Sequence, residues 1–162
     1  MERAEQSERY AALAAEVIDA RADLRWIRNA AVSIGYLSSD REKKAKGNLV
    51  LGECIRVKEL YKCFIPYDFL IVIYEPNVCR LSEDQLRILL YHELLHVDVE
   101  EKNGEPVYRI NPHDTEDFAR ILREYGFGWA EPGNGPNSGT EKPSDQEVTD
   151  DGERKVPEVA DA

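Results

Sequence analysis

Residues 92–96 read His92-Glu93-Leu94-Leu95-His96, a spacing that can do metal-assisted chemistry. On a helix, residues four apart share one face, about 40° apart in projection, so both imidazoles can reach one ion. Glu93 points about 100° round the axis from His92. It stays out of the inner coordination sphere, yet it can take a proton from a water that the ion holds. Zinc with an open fourth position brings the pKa of such a water towards about 7. The chemistry implied is hydrolysis of an amide, with Glu93 as general base and then as proton donor to the leaving amine.

Such a site needs a third ligand. The chain has three histidines, and the last, His113, stands in Asn111-Pro112-His113-Asp114. His113 is the natural choice, because neutral imidazole is a preferred ligand for zinc. Glu116 is the rival, and if it ligates, His113 is free to act as a transition-state donor. Asp114 and Asp117 read as outer partners of the ligands or as acids at a helix N-terminus. Tyr91, Tyr108 and Tyr125 could donate to an oxyanion, but each reads first as a packing residue. The bland alternative is a helix with two ordinary histidines and a surface glutamate. With this composition the five-residue pattern arises by chance in roughly one chain in a hundred. All three histidines standing where a zinc site would use them weighs against chance.

Several elements must position these residues. Residues 7–28 carry Leu13, Val17, Ile18, Leu24 and Ile27 at near-helical spacing, which predicts one amphipathic helix. Residues 31–36 read as a first strand, and the polar run 38–46 as a loop. Residues 49–57 and 67–74 are stronger strands, the second dense enough in apolar residues to be covered on both faces. Between them, residues 58–64 could form one or two helical turns. Ser82 with Gln85 forms a capping-box pattern opening a helix over 83–97. Asn103-Gly104 is a hairpin-turn signal between 97–101 and 106–110. A last helix is predicted over 114–125, stopped at Gly126. The sum is an α+β domain over 1–130, with a small mixed or antiparallel sheet packed on the N-terminal helix and the His92–His96 helix.

Composition narrows the class. The chain has 162 residues, enough for one domain with its own core. Its net charge is −11, and residues 131–162 hold nine acidic and three basic side chains of it. That segment also has half of the prolines and few large apolar residues, so a disordered acidic tail is expected there. The only basic cluster, Arg41, Lys43, Lys44 and Lys46, is short and reads as a solvated loop, so no nucleic-acid partner is expected. Cys54, Cys63 and Cys79 form no C-x-x-C pair and read as reduced thiols. With no apolar leader and no run long enough to span a bilayer, a cytoplasmic protein without a membrane partner is expected.

Residues 46–125 resemble the phage metallopeptidase family, a zincin-like group of phages and prophages. The resemblance rests on Gly47 to Gly52, on Tyr67-Asp68-Phe69, on Leu81 to His96, and on His113-Asp114-Thr115-Glu116-Asp117-Phe118. It implies a minimal zincin-like fold, a zinc cofactor, and peptidase activity on peptide or protein substrates in a bacterial host. Leu95 stands where relatives often carry cysteine, a change that does not touch the metal. Peptide deformylases also join this motif to a cysteine ligand, and Cys54 lies upstream as theirs does. Gly52 and Cys54 are not adjacent as in that family, however, and a free cysteine in a strand reads first as a small core residue. Three classes therefore stand: an active zinc peptidase, a zinc-bearing binding module of phage origin, and a structural protein with a chance motif. Glu93 favours the first, since an ion that only braces a fold needs no general base.

Overall fold

The computed structural model describes residues 3–113 and 117–134. In chain order these form β1 (Ala4–Gln6), α1 (Glu8–Ala20), α2 (Trp26–Asn29), β2 (Ile34–Ser39), β3 (Lys44–Ala45), β4 (Asn48–Leu49) and β5 (Gly52–Arg56). A 3-10 turn at Glu59–Tyr61 follows, then β6 (Phe69–Tyr74), α3 (Glu75–Val78), α4 (Glu83–Leu95), β7 (Val97–Lys102), β8 (Glu105–Ile110) and α5 (Ala119–Tyr125). The class is α+β, with small sheets, as expected. Among the described residues no helix is long and apolar enough to cross a membrane. The tail expected from residue 131 lies, from 135 onward, outside the described residues.

The main sheet has the order β1-β2-β6-β5, with β2 and β6 parallel and the outer pairs antiparallel. The apolar run of β6 is explained by this central place. Phe69, Ile71 and Ile73 are wholly buried on one side, and Val72 and Tyr74 are also buried on the other. The inner side meets Tyr10, Leu13, Ala14, Val17 and Ile18 of α1, and Leu86, Leu90 and Leu94 of α4, in one core. Burying each such side chain contributes roughly 1.5–3 kcal/mol. Among the described residues β5 is an edge strand, paired only with β6.

Five expected elements are corrected. The helix predicted over 7–28 ends at Ala20, because Arg21 is extended (φ −114°, ψ 116°). Arg21 turns to pair with Glu124, and Asp23 to accept from Tyr91 and Arg120. Leu24 and Ile27 are still buried, but from a turn and from α2. The strand predicted over 31–36 begins later, since Ala31 is left-handed at φ 52°. The loop over 38–46 and the strand over 49–57 instead give the end of β2, the β3–β4 hairpin and β5. That hairpin turns at Lys46 (φ 51°) and Gly47 (φ 85°), a two-residue turn of the kind that suits twisted strands. Finally, the last helix, expected over 114–125, spans Ala119–Tyr125 with Phe118 at its N-cap position; the 114–116 part of that expectation lies outside the described residues.

The β7–β8 hairpin turns at Asn103 (φ 55°) and Gly104 (φ 80°), as the dipeptide predicts. Leu90→Ala, which empties a wholly buried position on α4, is expected to lower unfolding free energy by about 2–5 kcal/mol in chemical denaturation. Lys46→Asn, at an exposed left-handed turn position, is expected to raise it by a few tenths of a kcal/mol in the same assay.

Candidate metal centre

The helix that carries the motif is fixed at both ends. At its start, Ser82 Oγ accepts from the Gln85 N–H (3.2 Å), while the Ser82 N–H donates to Gln85 Oε1 (3.0 Å). At its end His96 keeps helical angles (φ −73°, ψ −21°) as the C-cap, so it stays in helical register with His92. The chain passes at once into β7, and β8 brings it back alongside. There Asn111 closes the turn three times: its N–H donates to His96 O (2.7 Å), its Nδ2 to Leu95 O (3.0 Å), and its C=O faces His96 Nδ1 (2.7 Å). Two residues later comes His113.

The three imidazoles meet. His113 Nε2 lies 3.0 Å from His92 Nε2 and 2.9 Å from His96 Nε2. Among the described residues His92, His96 and His113 form a group able to hold one metal ion. Their hydrogen bonds make the case stronger than proximity does. His96 Nδ1 faces a carbonyl, and His92 Nδ1 faces Asp117 Oδ1 at 2.7 Å. Both partners only accept, so both Nδ1 atoms must carry the proton, and in neutral rings both Nε2 atoms are then bare lone pairs. The single proton that a neutral His113 could offer satisfies one of them at most. Lone pairs converging on one point are a cradle for a cation. His96 is kept neutral here: burial lowers its pKa to about 4, and the other histidines push the same way against its bond to Asn111.

Asp117 lies among these groups with a divided carboxylate. Oδ1 serves His92 and also takes the Phe118 N–H (2.6 Å), while Oδ2 takes the indole N–H of Trp129 (2.8 Å). Burial would raise its pKa, but the bonds from His92 and Trp129 outweigh that and hold it below the usual carboxylate range. The buried ring of Phe118 stands 4.9–5.3 Å from the three imidazole rings, edge-on, as an apolar floor. Asp114 and Glu116 lie outside the described residues.

Glu93 is buried and sits under the edge strand. Burial lifts its pKa to about 7; the interaction with His92 opposes the rise, Glu53 and Asp117 add to it, and the Cys54 backbone N–H lowers it. Gly52 makes this approach feasible, since a Cβ there would stand 3.0 Å from Glu93 Oε1. A carboxyl that titrates near neutrality is suited to accept and return a proton. Cys54, beside it, is a protonated thiol, since burial pushes its pKa well above the usual range.

The tyrosines weighed as donors are engaged elsewhere. Tyr91 donates to Asp23 (2.8 Å), Tyr125 accepts from Arg21, and Tyr108 packs edge-on against Phe69 with Lys62 over its ring. Sequence reasoning missed Asn111, Trp129 and the closeness of Gly52 to Glu93, and it named Phe118 only within the resemblance. Only the first had a usable signal: a two-residue turn at 103–104 pairs residue 97 with 110, and so places 111 beside 96.

Neither the curated proteins nor the solved structures compared with this chain include a similar one. A family model does match, described as Putative phage metallopeptidase, and its match runs over residues 2–135. That span includes the helix with His92 and His96, the hairpin behind it, His113, and the Asp117–Trp129 contact. As the match covers most of the 162 residues, the chain belongs to the phage metallopeptidase family.

Proposed function

We propose that this protein is a zinc-dependent metallopeptidase, with His92, His96 and His113 as ligands and Glu93 as general base. The observation that carries the reading is the meeting of three imidazole Nε2 atoms while two of the rings spend their Nδ1 protons on outer partners. Three nitrogen ligands with an open fourth position are the donor set of a catalytic zinc. In a tetrahedral site, zinc–nitrogen bonds of about 2.0–2.1 Å set the nitrogens about 3.3 Å apart. The His113 spacings of 2.9–3.0 Å need only a small widening to reach that value.

Zinc, when bound, supplies Lewis acidity that polarises a carbonyl and brings water towards ionisation near pH 7. Glu93 takes the proton of the attacking water on its carboxylate and delivers it to the leaving amine. His96 and His92 are oriented by Asn111 and Asp117, so the lone pairs of the neutral rings stay aimed at the centre. The substrate is a peptide or protein segment in extended form. β6 is paired on both sides and has no edge to offer, which leaves β5, beside Glu93, to pair with substrate main chain. A helix with the motif beneath such an edge strand is the zincin-like arrangement. The acidic charge gives no footing for nucleic acid, and the site of action is the cytoplasm of a phage-infected or prophage-bearing host.

A zinc-bearing binding module is the second reading. The burial of Glu93 against β5 counts against it, because a bracing ion requires no carboxyl poised beside it.

Metal analysis of the purified protein is expected to give one zinc per chain, lost in His92→Ala and in His113→Ala. Zinc retained in the second variant would move the third ligand to Glu116, and no bound zinc under metal-replete conditions would sink the reading. Glu93→Gln is expected to keep the metal and lower peptide hydrolysis by about 10²–10⁴-fold. Full activity in that variant would leave only the binding module. Gly52→Val should also keep the metal, and by displacing the Glu93 carboxylate lower kcat by about 10²-fold, measured on quenched fluorescent peptides.

A further inference from the structure

Gln85 is the most deeply buried polar side chain of α4, 1% exposed, and its capping role uses only half of it. Its oxygen accepts from the Ser82 N–H. Its amide nitrogen donates twice to chain that follows α5, to Trp129 O at 2.9 Å and to Glu131 O at 2.6 Å. A glutamate would satisfy the capping box equally well. It would, however, present an acceptor to two carbonyls, so the amide is selected by the second task.

That second task leads to the metal centre. Trp129, held by its carbonyl, is buried (6% exposed), and its indole N–H donates to Asp117 Oδ2. With Oδ2 so occupied, Asp117 presents Oδ1 to His92 Nδ1. The indole ring also lies alongside the His92 ring, with centroids 6.2 Å apart and planes inclined by 35°. The start of α4 is thus joined to His92, about 10 Å further along the same helix, by a route that leaves the helix. The route runs through Trp129 and Asp117, and every member of it is at least half-buried.

We propose that Trp129 and Gln85 are positioning residues of the metal centre: the segment after α5 is a strap, pinned by Gln85, that orients Asp117 and through it His92. This rests on the zinc reading above. Losing an outer partner of a ligating histidine typically lowers metal affinity by about 10–100-fold. Trp129→Phe keeps the ring and removes the donor, and is expected to weaken zinc binding about 10-fold in competition with a chromophoric chelator. Asp117→Asn is expected to weaken it about 10–100-fold. The double variant separates orientation from mere packing. If Trp129 acts through Asp117, Trp129→Phe adds little once Asp117→Asn is present.

A Trp129→Phe protein that binds zinc like the parent, or whose loss simply multiplies with that of Asp117→Asn, overturns the strap. Should that variant not fold, Gln85→Glu provides the same comparison: weaker binding, not additive with Asp117→Asn, supports the strap, and parental affinity overturns it. Unaltered affinity in these variants leaves the zinc site standing. A parent protein that binds no zinc removes both.

Discussion

Two imidazoles one helical turn apart, each with its Nδ1 proton committed to an acceptor, leave two lone pairs facing the same small volume. That constraint governs the rest of the molecule. Such lone pairs repel, and burial denies His96 the protonation that would relieve the repulsion. Everything around the site serves to hold this unfavourable arrangement ready: the capping box that fixes the start of α4, the hairpin that returns Asn111 to the helix end, and Asp117 with its divided carboxylate. Energy spent on holding ligands apart from their preferred partners is recovered when a cation arrives.

Glu93 belongs to a different part of the architecture. Its surroundings are the edge strand and the core, with Gly52 and the Cys54 amide on one side and the wholly buried Leu90 and Leu94 on its own helix. The ligands therefore rest on the hairpin and the segment around α5, and the base rests on the main sheet. A change in one support can leave the other intact, which makes binding and chemistry separable in this fold.

The sequence was most legible where the physics is local. The motif helix, its capping box, the Asn103-Gly104 turn and the stop at Gly126 each depend on residues within four or five positions of one another. β6 was legible because burial on both faces leaves a continuous apolar run. What escaped was decided at long range. The break after Ala20 follows from Arg21 and Asp23 reaching α5 and Tyr91, a hundred and nearly seventy residues away in sequence respectively. β1 escaped because it is three residues long and wholly exposed, with no alternation to read. Around the site, the histidines could be found by spacing, but Trp129 could not, since nothing in its neighbourhood marks an indole that serves Asp117.

The β7–β8 hairpin works as a ruler. Its two arms pair residue for residue from a tip at Asn103-Gly104, so the length of the arms can change only by matched amounts if Asn111 is to come back beside His96. A lone insertion in one arm would reverse which side chains face the core and carry His113 out of reach. Extra residues beyond the tip, or a pair added one to each arm, would lengthen the ribbon and leave the distance between the histidines as it is. The reach of this ribbon into solvent, and with it what the ribbon touches, is thus set independently of the spacing of the three histidines in space.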